Sequence, residues 1–392
     1  MSVKTENEEA KKLCSIEENR KGDGRYFMIY EIMHKDRIAA SMDTSGECQL
    51  LDKEYLPFAL YLEDTTGREE IDLRVNNLSN FYYWCGSRML TLDRKYAKEL
   101  LNSIGARQAV TDRDRAEVAL RYHCLSLKDV FWVRVRGENI SFDKINLYEN
   151  HLDNALVDLS LRGKQMTVQN AHLIADDLST NGLFPKAWVR GEDGTFYLYK
   201  DGNAQNVRAE LLASRICRCF SCNQVLYEEG SYDGQPISIS RLMTNTSEGL
   251  LSRAEFDIYA ANHEINPVEY VLSLDDYSYY MMNLLDYLIG NTDRHWENWG
   301  FLIDHETNRP LRLHDLMDFN QAFQSYDSPE GANCEAALPR ILTQKEAAFE
   351  AVSKIGLNQI AQVQPDWFDE MGMPHVQEMF FTRLNLLKEA VS

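Results

Sequence analysis

The chain has 392 residues, enough for two or three packed units rather than one core. A hydrophobic content of 44% with 26% charged residues describes an ordinary globular protein. A formal charge of −20 argues against nonspecific hold on DNA, RNA or an anionic membrane, all of which reward clustered Lys and Arg. No run approaches the 18 or so apolar residues of a membrane span. The first twelve residues, MSVKTENEEAKK, lack the apolar core of a signal peptide, so the cytoplasm is the expected location. The eight cysteines are then expected as reduced thiols.

Residues 1–25 are charged and poor in aromatics and read as a mobile tail. From RYFMIYEIM onward, β-prone runs alternate with helical pieces. LDRKYAKELLNSIG reads as a helix closed by Gly105, and VFWVRVRGENISF as strand, turn, strand. In the middle, KAWVR (186–190) and TFYLYK (195–200), joined by GEDG, read as a hairpin that ends on Lys200. The small-polar loop LSTNGLF precedes it. NVRAELLASRICRCF comes next with helical spacing at Val207, Leu211 and Ile216, and PISISRLM is another strand.

The last third reads as helical around one unusual loop. SLDDYSYYMMNLLDYLIGN predicts a helix with Ser273 as N-cap and one apolar face made by Tyr277, Met281, Leu284, Leu285 and Leu288. WGFLID and LRLH flank HETNRP as a second hairpin, which delivers DLMDFNQAF at its end. The closing helix places Val376, Met379, Phe380, Leu384 and Leu387 on one stripe. Cys217, Cys219 and Cys222 lack the second ligand pair of a zinc site and read as buried or half-buried thiols. Tyr279 and Tyr280 read as core, and His295 as a residue that fixes a loop backbone.

In order, these parts are a glycine-containing loop, a strand-end lysine, a helix carboxylate at Glu210, the loop DRHWEN, a hairpin and DFN. Phosphoryl transfer from ATP needs such a set. It needs a rigidly held cation for the phosphates, oxygen ligands for Mg²⁺, and a carboxylate to receive the acceptor's proton. An aspartate and an asparagine five residues apart on a loop, as Asp293 and Asn298 are, can divide the last two tasks.

IGNTDRHWENWGFL followed by LMDFNQAF resembles the catalytic core of HipA-like serine/threonine kinases, a kinase-fold family of bacterial toxin–antitoxin systems. The resemblance runs from about Asp177 to the C terminus. It implies an α+β fold: a two-lobed protein-kinase-like architecture with a β-rich small lobe at 166–248, a helical large lobe at 249–392 and an extra N-terminal α+β module at 26–165. It implies Asp293 as catalytic base, Asn298 and Asp318 as Mg²⁺ ligands, and Lys200 with Glu210 as the phosphate-binding lysine and its helix partner. Ser179, Thr180, Asn181 and Gly182 would form the loop over the ATP phosphates, a loop with a single glycine.

LHDLMDFN holds two aspartates, Asp315 and Asp318. Asp318 fits the family pattern of two apolar residues before and one after. The implied activity is transfer of the γ-phosphate of ATP to a protein Ser or Thr, including the kinase's own. A small DNA-binding antitoxin is the implied partner. The competing readings are a phosphoinositide-type lipid kinase, a catalytically silent kinase fold used as a binding module, and a nucleotidyl transferase using the same groups with the nucleotide turned round. Asp327, Glu330 and Glu335 against Arg340 after DFN disfavour an anionic lipid. The presence of every motif residue disfavours a silent fold.

Overall fold

The computed structural model of the chain describes residues 19–20, 26–89, 111–150, 186–201, 203–232, 234–324 and 326–391. Two compact units divide the chain, 1–182 and 183–392. The expected tail up to residue 18, the expected helix at 92–105 and the expected phosphate loop Ser179, Thr180, Asn181 and Gly182 lie outside the described residues. Among the described residues no helix is long and apolar enough to cross a membrane.

In the first unit, β1 (Asn19–Arg20) pairs with β2 (Tyr26–Phe27), so the end of the segment expected as a tail carries backbone pairing. A four-stranded antiparallel sheet comes next in the order β5-β4-β3-β6, built from β3 (Ile29–His34), β4 (Arg37–Asp43), β5 (Cys48–Leu50) and β6 (Phe131–Val135). Helix α1 (Ile71–Ser87) packs on it through Phe81, whose ring lies 5.3 Å from that of Tyr30. Helix α2 (Asp112–Ala119) opens with a capping box between Thr111 and Asp114. Arg88 and Asp129 form a buried ion pair at 2.7 Å.

The run VFWVRVRGENISF makes only one strand. β6 pairs with β3, and Glu138 then closes a turn on Val135 through its own N–H and through its carboxylate on the Val135 N–H. The chain enters a short helix, α3 (Phe142–Ile145), whose first N–H is held by Asp36. With the Glu138 N–H spent on the turn and the Phe142 N–H on Asp36, the second half of the run enters a helix instead of a ladder.

The second unit carries the expected hairpin. β7 (Lys186–Arg190) and β8 (Phe196–Asp201) pair in register from Lys186 opposite Lys200 to Arg190 opposite Phe196. With β9 (Tyr227–Tyr232) and β10 (Gln235–Arg241) they form an antiparallel sheet in the order β7-β8-β10-β9. Helix α4 (Ala204–Cys217), capped by Asn203, packs beside β9 and β10. Cys217 and Cys219 are buried and Cys222 is half-buried, each a free thiol.

A second antiparallel sheet, β11 (Glu248–Ser252), β12 (Gly300–Asp304) and β13 (Arg309–Leu313), includes the second expected hairpin. Against it pack α5 (Arg253–Asn262) and α6 (Pro267–Ile289), and the chain goes on to α7 (Gln344–Ile355), α8 (Asp366–Glu370) and α9 (Gln377–Val391). Helices α7 and α9 both pack on α6.

The central helix α6 differs from its expectation in two ways. It starts at Pro267 behind Asn266 as N-cap, and Ser273 is an exposed interior residue whose hydroxyl donates to Tyr270 O. The break comes at Asp275 (φ −157°, ψ 71°), whose carboxylate accepts the N–H groups of Ser278 and Leu313. Asp275 therefore caps the second half and pins it to β13. Beyond it, residues 279–290 are buried on every face rather than along one stripe, Tyr279 and Tyr280 included. A helix enclosed on all sides is a rigid post for the loop attached to its end.

Gly290, in the left-handed conformation (φ 58°, ψ 40°), closes the helix and turns the chain into the Asp293 loop. A Cβ there would collide with the ring of Tyr326, itself anchored by its hydroxyl to Leu288 O. Left-handed backbone costs a non-glycine residue about 1–2 kcal/mol before any clash. Gly290→Ala is expected to destabilise the protein by about 2–4 kcal/mol, read as a lower urea midpoint at unchanged slope. A variant within error of wild type would remove this account of the turn.

Candidate active site

Lys200, at the end of β8, is 7% exposed. Its Nζ lies 2.7 Å from Glu210 Oε1 and 3.0 Å from Asp318 Oδ1, and 5.1 Å above the ring centre of Tyr227. Burial opposes the ammonium charge, but Asp318 and Glu210 together outweigh it and hold the pKa well above the ordinary lysine value. Glu210 is fixed on its other oxygen by the Ser238 hydroxyl of β10. Strand, helix and DFN loop thus meet at one cation, from positions up to 118 residues apart.

Asp318 sits in a left-handed backbone conformation (φ 60°), and its N–H donates to the Tyr227 hydroxyl at 3.0 Å. Burial would raise its pKa, yet Lys200 above all, with Lys186 and Arg294, brings it down to about 2. Asp315 points elsewhere and pairs with Arg312 at 2.8 Å. Of the two aspartates in LHDLMDFN, the one at the lysine is Asp318.

Asp293 is half-buried. Burial raises its pKa above the usual carboxylate range, and Asp318 adds to the rise while His295 and Arg294 oppose it. The two carboxylates therefore move in opposite directions, one more basic and one firmly ionised. The Asp293 carbonyl accepts the Asn298 side-chain N–H at 2.8 Å, which closes the six-residue loop and leaves Asn298 Oδ1 as the amide's acceptor atom. His295 Nδ1 accepts the Glu297 N–H at 3.2 Å, and its Nε2 lies 3.8 Å from Asp293. His295 thus bonds the loop backbone.

Among the described residues no group of three or more His, Cys, Asp or Glu side chains gathers in a metal-holding arrangement. Asn298 and Asp318 offer instead two hard oxygen donors, the second of them paired with Lys200 at 3.0 Å. That donor set suits Mg²⁺, which takes one or two protein oxygens and completes its shell with phosphate and water. It suits no soft metal.

Reading by motif passes over three residues that the fold makes prominent: Tyr227, Arg294 and Asp286. Arg294 is buried against Asp286 at 2.9 Å. The arginine within DRH and an aspartate in an apolar helix were visible as charges at positions that burial would disfavour, though their pairing was not.

His314, four residues before Asp318, is also buried, and its Nδ1 donates to the Asp315 carbonyl at 2.8 Å. Burial pushes its pKa down to about 4. Its folded pKa lies below the unfolded value of 6.5. The resulting cost is absent above that pH, grows as pH falls because only the unfolded chain takes the proton, and stops growing near pH 4. Stability is expected to fall by up to about 1.4 kcal/mol per pH unit in that window, measured by urea unfolding. His314→Gln should flatten the slope there, and an equal slope in both proteins would end this assignment.

No family model matches the sequence, and no curated protein matches it. Solved structures do. The chain is similar in fold to HipA of Shewanella oneidensis MR-1, solved with HipB and its operator DNA, at a TM-score of 0.52 and 12% identity over 92% of this chain and 99% of that one. It also matches the proinflammatory kinase CtkA of Helicobacter pylori at a TM-score of 0.38 and 14% identity, over 52% of this chain and 90% of that one. At such an identity the likeness to HipA is one of fold alone.

Proposed function

We propose that this chain is an ATP-dependent phosphotransferase, a HipA-like protein Ser/Thr kinase whose nucleotide lies between a β-rich lobe with Lys200 and a helical lobe with Asp293. The observation that carries this reading is the meeting of Lys200, Glu210 and Asp318 at one buried cation, close enough to the Asp293 loop for Asp318 to act on Asp293's charge.

Each residue then has a task set by its surroundings. Lys200, held by Glu210, presents a full positive charge to the phosphates and is kept from wandering by the Tyr227 face. Asp293, more basic than an ordinary carboxylate, accepts the proton of the attacking hydroxyl at its Oδ atoms. Asn298 Oδ1 and the Asp318 carboxylate would hold Mg²⁺, which when bound neutralises charge on the transferring phosphoryl group. Ser179, Thr180, Asn181 and Gly182 are proposed as the loop over the phosphates.

A protein hydroxyl is the favoured acceptor, because Asp327, Glu330 and Glu335 come after DFN where an anionic headgroup would need cations. A small antitoxin-like DNA-binding partner and a cytoplasmic setting belong to the same proposal.

The test is incubation of the purified protein with Mg²⁺ and γ-labelled or α-labelled ATP, beside Asp293→Ala. Label from the γ position, absent in the variant, supports the kinase. Label from the α position makes the protein a nucleotidyl transferase. No label, together with no nucleotide-dependent rise in melting temperature, sinks the reading.

A further inference from the structure

Beneath the loops lies a buried cluster to which none of these tasks has been given. Asp286, in the last turn of α6, is 5% exposed, and Arg294 is 3% exposed. Asp286 Oδ2 accepts from Arg294 Nε at 2.9 Å, and its Oδ1 accepts from Arg294 Nη2 at 3.0 Å and from Asn291 Nδ2 at 3.1 Å. The remaining nitrogen, Arg294 Nη1, donates to two backbone carbonyls, Asn298 O at 2.8 Å and Met317 O at 2.7 Å. Asn291 Oδ1 accepts the Asp293 N–H at 3.2 Å, and Asn291 O accepts from Gln344 Nε2 at 2.6 Å.

The acceptors of Nη1 are informative. One is the carbonyl of Asn298 itself, and the other belongs to the residue immediately before Asp318. The two proposed cation ligands come from separate loops, twenty residues apart in sequence, and a single guanidinium nitrogen joins their backbones. A buried ion pair adds little net stability over an apolar pair of the same shape, so stability alone does not explain four bonds aimed this way. A planar guanidinium makes the bidentate contact and the carbonyl contacts at once, and an ammonium cannot.

We infer that Arg294, clamped by Asp286, is a positioning residue that sets the separation of Asn298 and Asp318 to what one shared divalent cation requires. This rests on the phosphotransferase reading. Mg²⁺ accepts ligand oxygens only in a narrow shell at about 2.0–2.1 Å, and a site held more loosely than about 0.5 Å loses that fit. The Arg294 side chain bonds Asp286 and the two carbonyls rather than Lys200 or Glu210, and Lys200 keeps its own bond to Glu210, so the part of nucleotide binding that needs no metal should depend on Arg294 far less than the part that does.

The experiment separates those two parts. Affinity of the full chain for a non-hydrolysable ATP analogue is measured by calorimetry in EDTA and across a MgCl₂ series, for wild type and Arg294→Lys, with melting curves alongside. The expected result is an EDTA affinity within about twofold of wild type, with the Mg²⁺-dependent gain reduced by about 10–100-fold, the range seen when groups supporting metal ligands are lost. An unreduced gain overturns the inference. So does a fall in the EDTA affinity as large as the fall with Mg²⁺, which marks general damage.

A wild type with no Mg²⁺-dependent gain overturns the phosphotransferase reading and this inference with it. If Arg294→Lys does not fold, the double replacement Asp286→Leu with Arg294→Met removes both charges together, the change that buried pairs tolerate best. It is held to the same outcomes.

Discussion

Replacing Asp293 with alanine is expected to lower phosphoryl transfer by about 10²–10⁴-fold, the span a positioned general base contributes. The melting temperature should stay close to wild type. Asp293 is half-buried, and the His295 Nε2 lies 3.8 Å from its carboxylate, beyond hydrogen-bond distance. The loop is held through its backbone instead: the Asp293 N–H to Asn291, and its carbonyl to the Asn298 amide. Truncating the side chain leaves both bonds in place. Affinity for the nucleotide analogue should also survive, because the proposed cation for the phosphates is Lys200. Single-turnover transfer of γ-label, wild type beside variant, is the measurement. A variant within a few-fold of wild type would take the base assignment away from Asp293.

The second large effect is expected at Asp318. Asp318→Asn keeps the shape but removes the charge that Lys200 and the proposed cation share, and the loss of Mg²⁺-supported transfer should exceed about 100-fold, the upper end of what losing a merely supporting group costs. Lys200 retains Glu210 at 2.7 Å, so its charge is not left unpaired and the fold should hold. The control is Asp315→Asn. Asp315 pairs with a partly exposed Arg312, an interaction of at most about 1 kcal/mol, and its loss should leave transfer within about twofold. Equal effects at the two aspartates would show that the DFN loop is not the metal-binding segment.

Much of the site was legible because it is local. Asp293 and Asn298 are separated by one tight loop closed by a bond between them, so the motif is also its own structure. The two hairpins carry their turn chemistry between β-prone runs, and GEDG closes through Gly191 and Thr195 as its composition suggests. Expectation and fold part where a distant group overrides a local signal. Ser273 has the composition of a cap, but the carboxylate that caps is Asp275, fixed from β13 by the Leu313 N–H. ENISF has strand propensity, but Asp36 takes the first N–H of the helix that it enters. Local propensity is worth tenths of a kcal/mol per residue, less than one satisfied buried N–H.

By itself the sequence determined the inventory and its order: a strand-end lysine, a helix glutamate, a loop with an aspartate and an asparagine, and two aspartates after a hairpin. Those come from periodicity and turn chemistry, which act over a few residues. Which aspartate meets Lys200, what orients Glu210, and what binds the Asn298 loop to the Asp318 loop were decided only by tertiary structure. Each depends on burial, which makes an unpaired charge costly and so forces Lys200, Asp318, Asp286 and Arg294 to find partners across the core. Nothing in a one-dimensional spacing records that two carbonyls about twenty residues apart converge on one guanidinium nitrogen.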